Sequence, residues 1–129
     1  RTAKQMGMLD PGISSLLADL ATRNLLEKTL VVCMGEFGRS PRINGDDGRD
    51  HHPGAFSIAM AGAGIRGGIA HGSTDAEGEK VINGNVSVPD VVATMSSIMG
   101  LDPTTVEVTP AGRPIYVTEG GKPIAGVIA

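Results

Sequence analysis

The order of patterns along this 129-residue chain predicts an α/β fold, part of a three-layer α/β/α arrangement around a mostly parallel sheet. An amphipathic helix is followed within a few residues by a short continuous apolar strand, which is typical of parallel sheets covered on both faces. A second buried strand and a second amphipathic helix follow. Because these are too few strands for a complete doubly wound sheet, we expect residues 1–129 to be a piece of a larger sheet.

The first helix is predicted to begin at Asp10, a residue type that caps helices, with Pro11 at the first helical position. Apolar residues from Ile13 to Leu20 then recur at the spacing of one helix face. Residues 1–9 show no such pattern. The sequence therefore predicts a helix of about 15 residues that ends near Asn24.

Three short strands are expected in the central part of the chain. Thr29 to Met34 is a continuous apolar run rich in β-branched residues, and Ala55 to Ala61 is a second such run. Glu79 to Asn83 is a weaker candidate that ends in an Asn-Gly turn. The long polar stretch between the first two runs shows no regular pattern, so we expect it to be a loop at a strand end, where open α/β sheets bind ligands.

The second helix is predicted to open at Ser87, which is followed by Pro89 and by the acidic residue Asp90. Its apolar stripe ends before Gly100, a residue suited to the left-handed conformation that closes helices. The remaining tail carries four prolines, which leave room only for short strands such as Ile115 to Thr118.

Composition excludes several classes of function. The chain has 40% hydrophobic and 19% charged residues, which argues against disorder despite 19 glycines and 8 prolines. A net charge of −3 and 2% aromatic residues argue against nucleic-acid binding, which typically uses basic patches and stacking aromatic rings. No stretch approaches the ~20 apolar residues of a membrane span. The single cysteine, Cys33, excludes an internal disulfide and a cysteine-based metal site, and its apolar neighbours favour a buried, inert thiol.

The segment Gly35 to Arg39 is the first candidate for chemistry, because it directly follows the first predicted strand. Its glycines allow a sharp turn that can direct Glu36 and Arg39 into a crevice. A carboxylate there can bind a hard cation or act as a base. The alternative is a solvated Glu–Arg pair on an ordinary turn.

The second candidate is the segment from Asp46 to Pro53, which places acidic residues beside His51 and His52. Carboxylates and imidazoles close together suit a divalent cation. Adjacent residues of an extended segment point in opposite directions, so we expect only one of the two histidines to reach a given metal. The alternative is a charged surface loop whose histidines only titrate.

The run Gly62 to Gly67 matches the glycine spacing of a dinucleotide-binding loop. That fingerprint requires a helix to open on the loop, whereas two further glycines follow here and disfavour a helix. We therefore interpret it as a tight turn. His71 lies just beyond and is a weaker candidate ligand.

The chain resembles a bacterial sulfatase-like family of unknown function, DUF1501, which is grouped with the alkaline phosphatase-like superfamily. The resemblance extends over essentially the whole chain. Its main segments are TLVVCMGEFGRSPRIN, GRDHHPGAFSIAMAGAGIRGGIAHGSTD and SVPDVVATMSSIMGLDP. It implies that residues 1–129 are the carboxy-terminal portion of a single domain with the three-layer fold of the alkaline phosphatase-like type.

The resemblance also implies a metal site. Glu36 and Phe37 occupy the place of an Asp-His pair that binds metal in the superfamily, and His51 resembles a later metal-ligating histidine. Glu36 can replace Asp as an oxygen ligand, but Phe37 cannot bind a metal. We therefore expect Glu36, Asp50 and His51 to hold a divalent cation (Zn, Mn, Ca or Mg). Two arginines, Arg39 and Arg49, are expected to bind an anionic substrate.

The function implied is metal-dependent hydrolysis of a small phosphate or sulfate ester, with the nucleophile supplied by the remainder of a longer parent chain. On this hypothesis the isolated chain is inactive, and export or a periplasmic location is suggested by the resemblance alone. The alternative is a non-catalytic, degenerate member that acts as a binding or structural module, which Phe37 favours. An isolated module of this length is less favoured, because its sheet would be small and open-edged.

Overall fold

The computed structural model describes residues 2–45 and 48–129 of the chain. Over these residues the backbone forms two α-helices, one 3-10 turn at Leu26–Lys28 and eight short strands. The bounds are Thr2–Thr22 for α1, Leu30–Cys33 for β1, Gly38–Arg39 for β2, His51–His52 for β3, Ala59–Gly62 for β4, Ser73–Thr74 for β5, Val81–Asn83 for β6, Val88–Ile98 for α2, Val106–Val108 for β7 and Pro114–Tyr116 for β8. Neither helix is long and apolar enough to cross a membrane.

The predicted parallel three-layer sheet is wrong. The described strands pair two by two, as β1 with β4, β2 with β3, β5 with β6 and β7 with β8. The two apolar runs lie antiparallel, with Leu30 opposite Gly62 and Cys33 opposite Ala59. A parallel pair needs a crossover connection, usually a helix. The polar segment between β1 and β4 contains the β2–β3 pair instead, so the chain returns beside β1 in the opposite direction.

Helix α1 begins well before the predicted start at Asp10, and Pro11 lies in its interior. Residues 4–9 include Lys, Gln, Met and Leu, which are good helix formers, and their propensity extends the helix although they show no apolar stripe. The predicted end is confirmed. Asn24 adopts a left-handed φ of 55°, and the amides of Leu25 and Asn24 bond the carbonyls of Leu20 and Ala21. This is a Schellman motif, which asparagine tolerates better than most residues.

The chain divides into two compact units, which we describe separately. Unit 1 comprises residues 1–63 and 74–80, and unit 2 comprises residues 64–73 and 81–129. In unit 1, every described side chain of α1 is at least partly exposed, and the least exposed are Ile13, Leu17 and Leu20. Strand β1 is half-buried along its whole length, including Cys33, which is a free thiol.

In unit 2, the boundaries predicted for α2 are confirmed. The hydroxyl of Ser87 accepts from the Asp90 amide, and the Asp90 carboxylate accepts from the Ser87 amide, which forms a complete capping box. Gly100 adopts a φ of 77° and closes the helix with a second Schellman motif, in which Leu101 bonds the carbonyl of Ser96. Val91 and Ala93 are buried on this helix and form the core of the unit.

The carboxy-terminal tail is held against α2 by two side chains of the helix. The Asp90 carboxylate accepts from the amide of Lys122 at 2.8 Å, and the hydroxyl of Thr94 accepts from the amide of Ile124 at 3.0 Å. The bond from the Lys122 amide contributes most to lowering the pKa of Asp90, which falls to about 2, and the bonds from the hydroxyl and amide of Ser87 add to it. Gly121 packs so closely that a Cβ there would lie 2.0 Å from the carbonyl oxygen of Pro89. The tail is therefore fixed mainly through its backbone.

Candidate functional site

The two segments singled out in the sequence form the two sides of one hairpin in unit 1. Strands β2 and β3 are antiparallel, with Gly38 opposite His52 and Arg39 opposite His51. Beyond the strands, the amide of Ser40 donates to the carbonyl of Asp50 at 2.9 Å, and Asn44 pairs with Gly48 near the tip. We call the described residues between Gly38 and His52 the site hairpin. Asp46 and Asp47 of the second segment lie outside the described residues.

Gly38 is required where the hairpin begins. It is buried, and a Cβ at this position would lie 2.1 Å from the carbonyl oxygen of Ala55 and 2.8 Å from that of His52. Real Cβ atoms do not approach backbone so closely, so any larger residue would push the neighbouring chain away. The glycine on this side of Glu36 and Phe37 therefore allows close backbone packing, in addition to the sharp turn expected from the sequence.

The aromatic ring of Phe37 lies close to both members of one cross-strand pair of the hairpin, Arg39 and His51. The centroids of the Phe37 and His51 rings are 3.9 Å apart, with the planes inclined by 34°. The guanidinium carbon of Arg39 lies 5.4 Å from the Phe37 centroid, within the range of a cation–π contact. Phe37 is half-buried, whereas Arg39 and His51 are exposed. The Phe37 ring thus limits where the Arg39 guanidinium and the His51 imidazole lie, and both groups reach solvent.

The two predicted substrate-binding arginines have different surroundings. Arg39 donates from Nη1 to the carbonyl of Arg49 at 3.3 Å, a long hydrogen bond. Arg49 donates from Nη1 to the carbonyl of Ser40 at 2.7 Å and also to the carbonyl of Pro41. Arg49 therefore holds the far side of the hairpin closed. Arg39 is the more available of the two for an external anion.

The predicted metal ligands do not come together as a cluster. The Asp50 carboxylate accepts from the side-chain amide of Asn44, whose oxygen in turn accepts from the Asp50 amide at 3.1 Å. Glu36 is exposed, and His51 stacks on Phe37. Among the described residues, no three His, Cys, Asp or Glu side chains are placed to hold one metal ion. The assignment of Glu36, Asp50 and His51 as ligands stays a prediction.

The adjacent histidines have different partners. His52 is half-buried, and its Nε2 donates to the carbonyl oxygen of Glu79 at 2.8 Å. His51, the neighbour on the same strand, contacts Phe37 and remains exposed. Sequence reasoning missed the role of Glu79, which is 27 residues away along the chain. The sequence did contain a local indication of the turn before Glu79, because the spacing of Asp75 and Gly78 is typical of a turn.

The glycine-rich run after β4 continues as a turn in unit 2. Ile65 forms a bridge with Ile128, and the amide of Arg66 donates to the carbonyl of Val127. His71, the weaker candidate ligand, lies beside Gly84 and Gly126, where a Cβ would approach its ring to 3.2 Å. These contacts place the run against the carboxy-terminal tail.

In the comparison with protein families, residues 1–128 match the model described as "Protein of unknown function (DUF1501)". The chain belongs to the DUF1501 family. Comparison with curated proteins and with solved structures found no match. The family resemblance expected from the GEFGR and GRDHH segments is therefore confirmed, and in this DUF1501 chain those two segments are the paired sides of the site hairpin.

Proposed function

We propose that this DUF1501 chain supplies the oxyanion-binding part of a hydrolase of small phosphate or sulfate esters related to the alkaline phosphatase-like superfamily. The observation that carries the proposal is the cross-strand pair of Arg39 and His51, exposed on one hairpin and both in contact with Phe37. A guanidinium group presents paired N–H donors that match two oxygens of a phosphate or sulfate. Arg39 would bind the ester oxygens, and the His51 ring lies opposite it across the strand pair.

The proposed metal site has the right donor chemistry, since two carboxylates and an imidazole suit several divalent cations. A divalent cation, when bound, polarises an ester oxygen and activates a nucleophile. The described geometry does not gather Glu36, Asp50 and His51 into one group. The part of the reaction that this chain's own residues support is binding and orientation of the anionic group by Arg39.

Binding of inorganic phosphate and sulfate, measured by calorimetry on the full chain, tests the role of Arg39. Losing a charge-assisted hydrogen bond costs about 1.5–3 kcal/mol, so we expect Arg39→Ala to weaken binding by about 10- to 100-fold. The matched control is Arg42→Ala. Arg42 is an arginine on the same hairpin, but its side chain is 84% exposed and its Nε already lies 3.7 Å from the Glu79 carboxylate. Equal losses for both variants would show non-specific attraction and contradict the proposal.

The hydrolase activity is tested with the longer parent protein, which is assayed with aryl phosphates and aryl sulfates before and after treatment with a chelator. We expect turnover of one ester class that falls on chelation and returns when a divalent metal is restored. Absent turnover, or turnover that is the same with and without chelator, would contradict metal-dependent hydrolysis.

A second candidate function is non-catalytic binding of an anionic ligand. Phe37 favours it, because its ring, which cannot bind a metal, lies against the imidazole of His51. Elemental analysis of the purified protein distinguishes the two functions. Near-stoichiometric Zn, Mn, Ca or Mg supports the hydrolase, whereas phosphate binding without bound metal supports the binding module.

A further inference from the structure

A compact turn within unit 1 lies against the site hairpin. In this turn, residues 75–80, the Asp75 carboxylate accepts from the amides of Glu79 at 2.7 Å and Lys80 at 3.2 Å. The backbone closes the same loop, because the Asp75 amide donates to the carbonyl of Lys80 and the Gly78 amide donates to that of Asp75. Side chain and backbone together fix the direction of the Glu79 carbonyl. We call this segment the 75–80 turn.

The 75–80 turn contacts both sides of the site hairpin. The Glu79 carbonyl accepts from Nε2 of His52 on β3, and the Glu79 carboxylate lies 3.7 Å from Nε of Arg42 on the other side. A Cβ at Gly78 would lie 3.7 Å from the ring of Pro41, which is ordinary van der Waals contact. Of these contacts, the His52 bond is the shortest, and it is part-buried.

This support matters because β2 and β3 are only two residues long. An isolated two-stranded hairpin is marginally stable in water, so its register needs support from outside the pair. A shift of one residue would turn every side chain of β3 to the opposite face. It would remove His51 from Phe37 and from its position opposite Arg39. A bond to His52, the neighbouring residue on the same strand, opposes that shift directly.

We propose that His52 is a positioning residue, which acts through the Glu79 carbonyl to hold β3 in the register that places His51 against Phe37. Asp75 acts one step further away by fixing the turn that presents this carbonyl. Neither residue is assigned contact with the ester. The importance of this positioning for oxyanion binding rests on the function proposed above, but the positioning itself can be tested without a ligand.

Proton NMR of the imidazole of His51 in the full chain, at one fixed pH, measures the positioning. A ring stacked at 3.9 Å from Phe37 has its resonances shifted upfield. We expect His52→Ala to move the His51 resonances toward those of an unstacked imidazole. His52→Gln should restore the shift, because its side-chain amide can donate to the Glu79 carbonyl. The matched control is His71→Gln, because the His71 ring lies beside Gly84 and Gly126 and its replacement should leave the His51 resonances unchanged.

A second pair of variants keeps the test decisive if His52→Ala does not fold. Asp75→Ala removes the acceptor for the Glu79 and Lys80 amides while leaving His52 in place, and Asp75→Asn retains an oxygen acceptor. Loss of the His51 shift in Asp75→Ala and its retention in Asp75→Asn support the positioning role. Unchanged His51 resonances in folded His52→Ala or in Asp75→Ala would overturn it.

Calorimetry with inorganic phosphate on the same variants separates this proposal from the proposed function. We expect His52→Ala to weaken phosphate binding by about tenfold, the size of one ordinary interaction, and His52→Gln to recover most of the loss. If the wild-type chain binds no phosphate while the His51 shift still depends on His52, the proposed function fails and the positioning role stands.

Discussion

Polar side chains of α2 are bonded to the backbone around them, whereas two polar side chains of the site hairpin are exposed to solvent. In unit 2, Thr94 is fully buried and bonds both the carbonyl of Asp90 and the amide of Ile124. In unit 1, Arg39 is exposed and makes one long hydrogen bond, while exposed His51 contacts an aromatic ring. The side-chain oxygens on α2 are occupied by hydrogen bonds to the tail. On the hairpin, Arg39 uses one guanidinium N–H in its long bond to Arg49 and keeps the others available for a ligand.

This difference shows why residue type alone does not identify a functional group. Asp50 and Asp90 are both acidic residues, but Asp90 accepts from the amide and hydroxyl of Ser87, which cap α2, and from the amide of Lys122 in the tail. What separates structural from functional polar groups is the number of protein partners that they already have. By this criterion Arg39 is available for a ligand and Arg49 is largely engaged.

The largest effect is expected at Gly121, in the tail packed on α2. A Cβ there would lie 2.0 Å from the Pro89 carbonyl oxygen and 2.8 Å from the Asp90 amide nitrogen, so Gly121→Ala must displace backbone. We expect a loss of about 3 kcal/mol in the free energy of unfolding, measured by urea denaturation. The control is Gly67→Ala in the same unit, where a Cβ meets nothing within 4 Å. Similar losses for both would contradict the close packing of the tail.

A comparable change in unit 1 is Gly38→Ala, whose Cβ would lie 2.1 Å from the Ala55 carbonyl oxygen. We expect a loss of about 2–3 kcal/mol and, more specifically, loss of the upfield shift of His51, because the start of the hairpin must move. Gly35→Ala is the matched control, since its Cβ would meet only ordinary contact at 3.6 Å. A His51 resonance that survives Gly38→Ala would show that β2 does not determine the ring stack.

The next largest effect is expected when the buried hydroxyl of Thr94, which accepts a hydrogen bond from the tail, is removed. Thr94→Val keeps the shape of the side chain but leaves the Ile124 amide without its acceptor, which should lower the free energy of unfolding by about 1–3 kcal/mol. Thr94→Ser keeps the hydroxyl and should lose less. Hydrogen exchange at the Ile124 amide should quicken in Thr94→Val alone. Equal exchange rates in both variants would contradict the bond.

These predictions rest on contacts that the sequence only partly revealed. Local patterns were sufficient for α2, because Ser87 and Gly100 mark its ends and their chemistry is complete within a few residues. The strand inside Thr29 to Met34 is likewise confirmed as Leu30–Cys33. The strand expected at Ala55 to Ala61 is shorter and lies at Ala59–Gly62, and β7 at Val106–Val108 was not predicted.

Non-local pairing was the part that the sequence could not supply. Apolar runs such as β1 and β4 fit a parallel or an antiparallel neighbour equally well, and the direction depends on the connection between them. The absence of helical spacing between Met34 and Ala55 was the available signal for an antiparallel return. For the site, sequence spacing indicated the two segments of the hairpin, but not that Arg39 faces His51 or that His52 bonds Glu79.

The stability of unit 2 should depend on pH in the acid range. The pKa of Asp90 is lowered from 3.8 to about 2 by its bonds to the Lys122 amide and to Ser87. A depressed pKa stabilises the folded state above the unfolded value, so this stability should disappear as the pH falls from about 4 to about 2. The pKa of Asp102 is also lowered, by the hydroxyl and then the amide of Thr104, and adds to the same trend.

The urea midpoint measured across this pH range checks the effect, with hydrogen exchange of the α2 amides as the local readout. Asp90→Asn removes the titrating group and should flatten the dependence in α2. A wild-type stability that is constant between pH 4 and pH 2 would show that the Lys122 contact does not stabilise the folded state.

The smallest effect is expected on α1, the helix that has the least packing to define it. A Cβ at Gly12 would meet nothing within 4 Å, and Gly12 is exposed in the helix interior after Pro11. Alanine has the higher helix propensity, so Gly12→Ala should raise helical content and stabilise α1 by about 0.5–1 kcal/mol. Circular dichroism measures this, and Gly7→Ala, which also has open space, should repeat it. If Gly12→Ala instead destabilised the chain, a packing partner would have to cover this face of α1, and the contrast with the tightly held α2 would have to be revised.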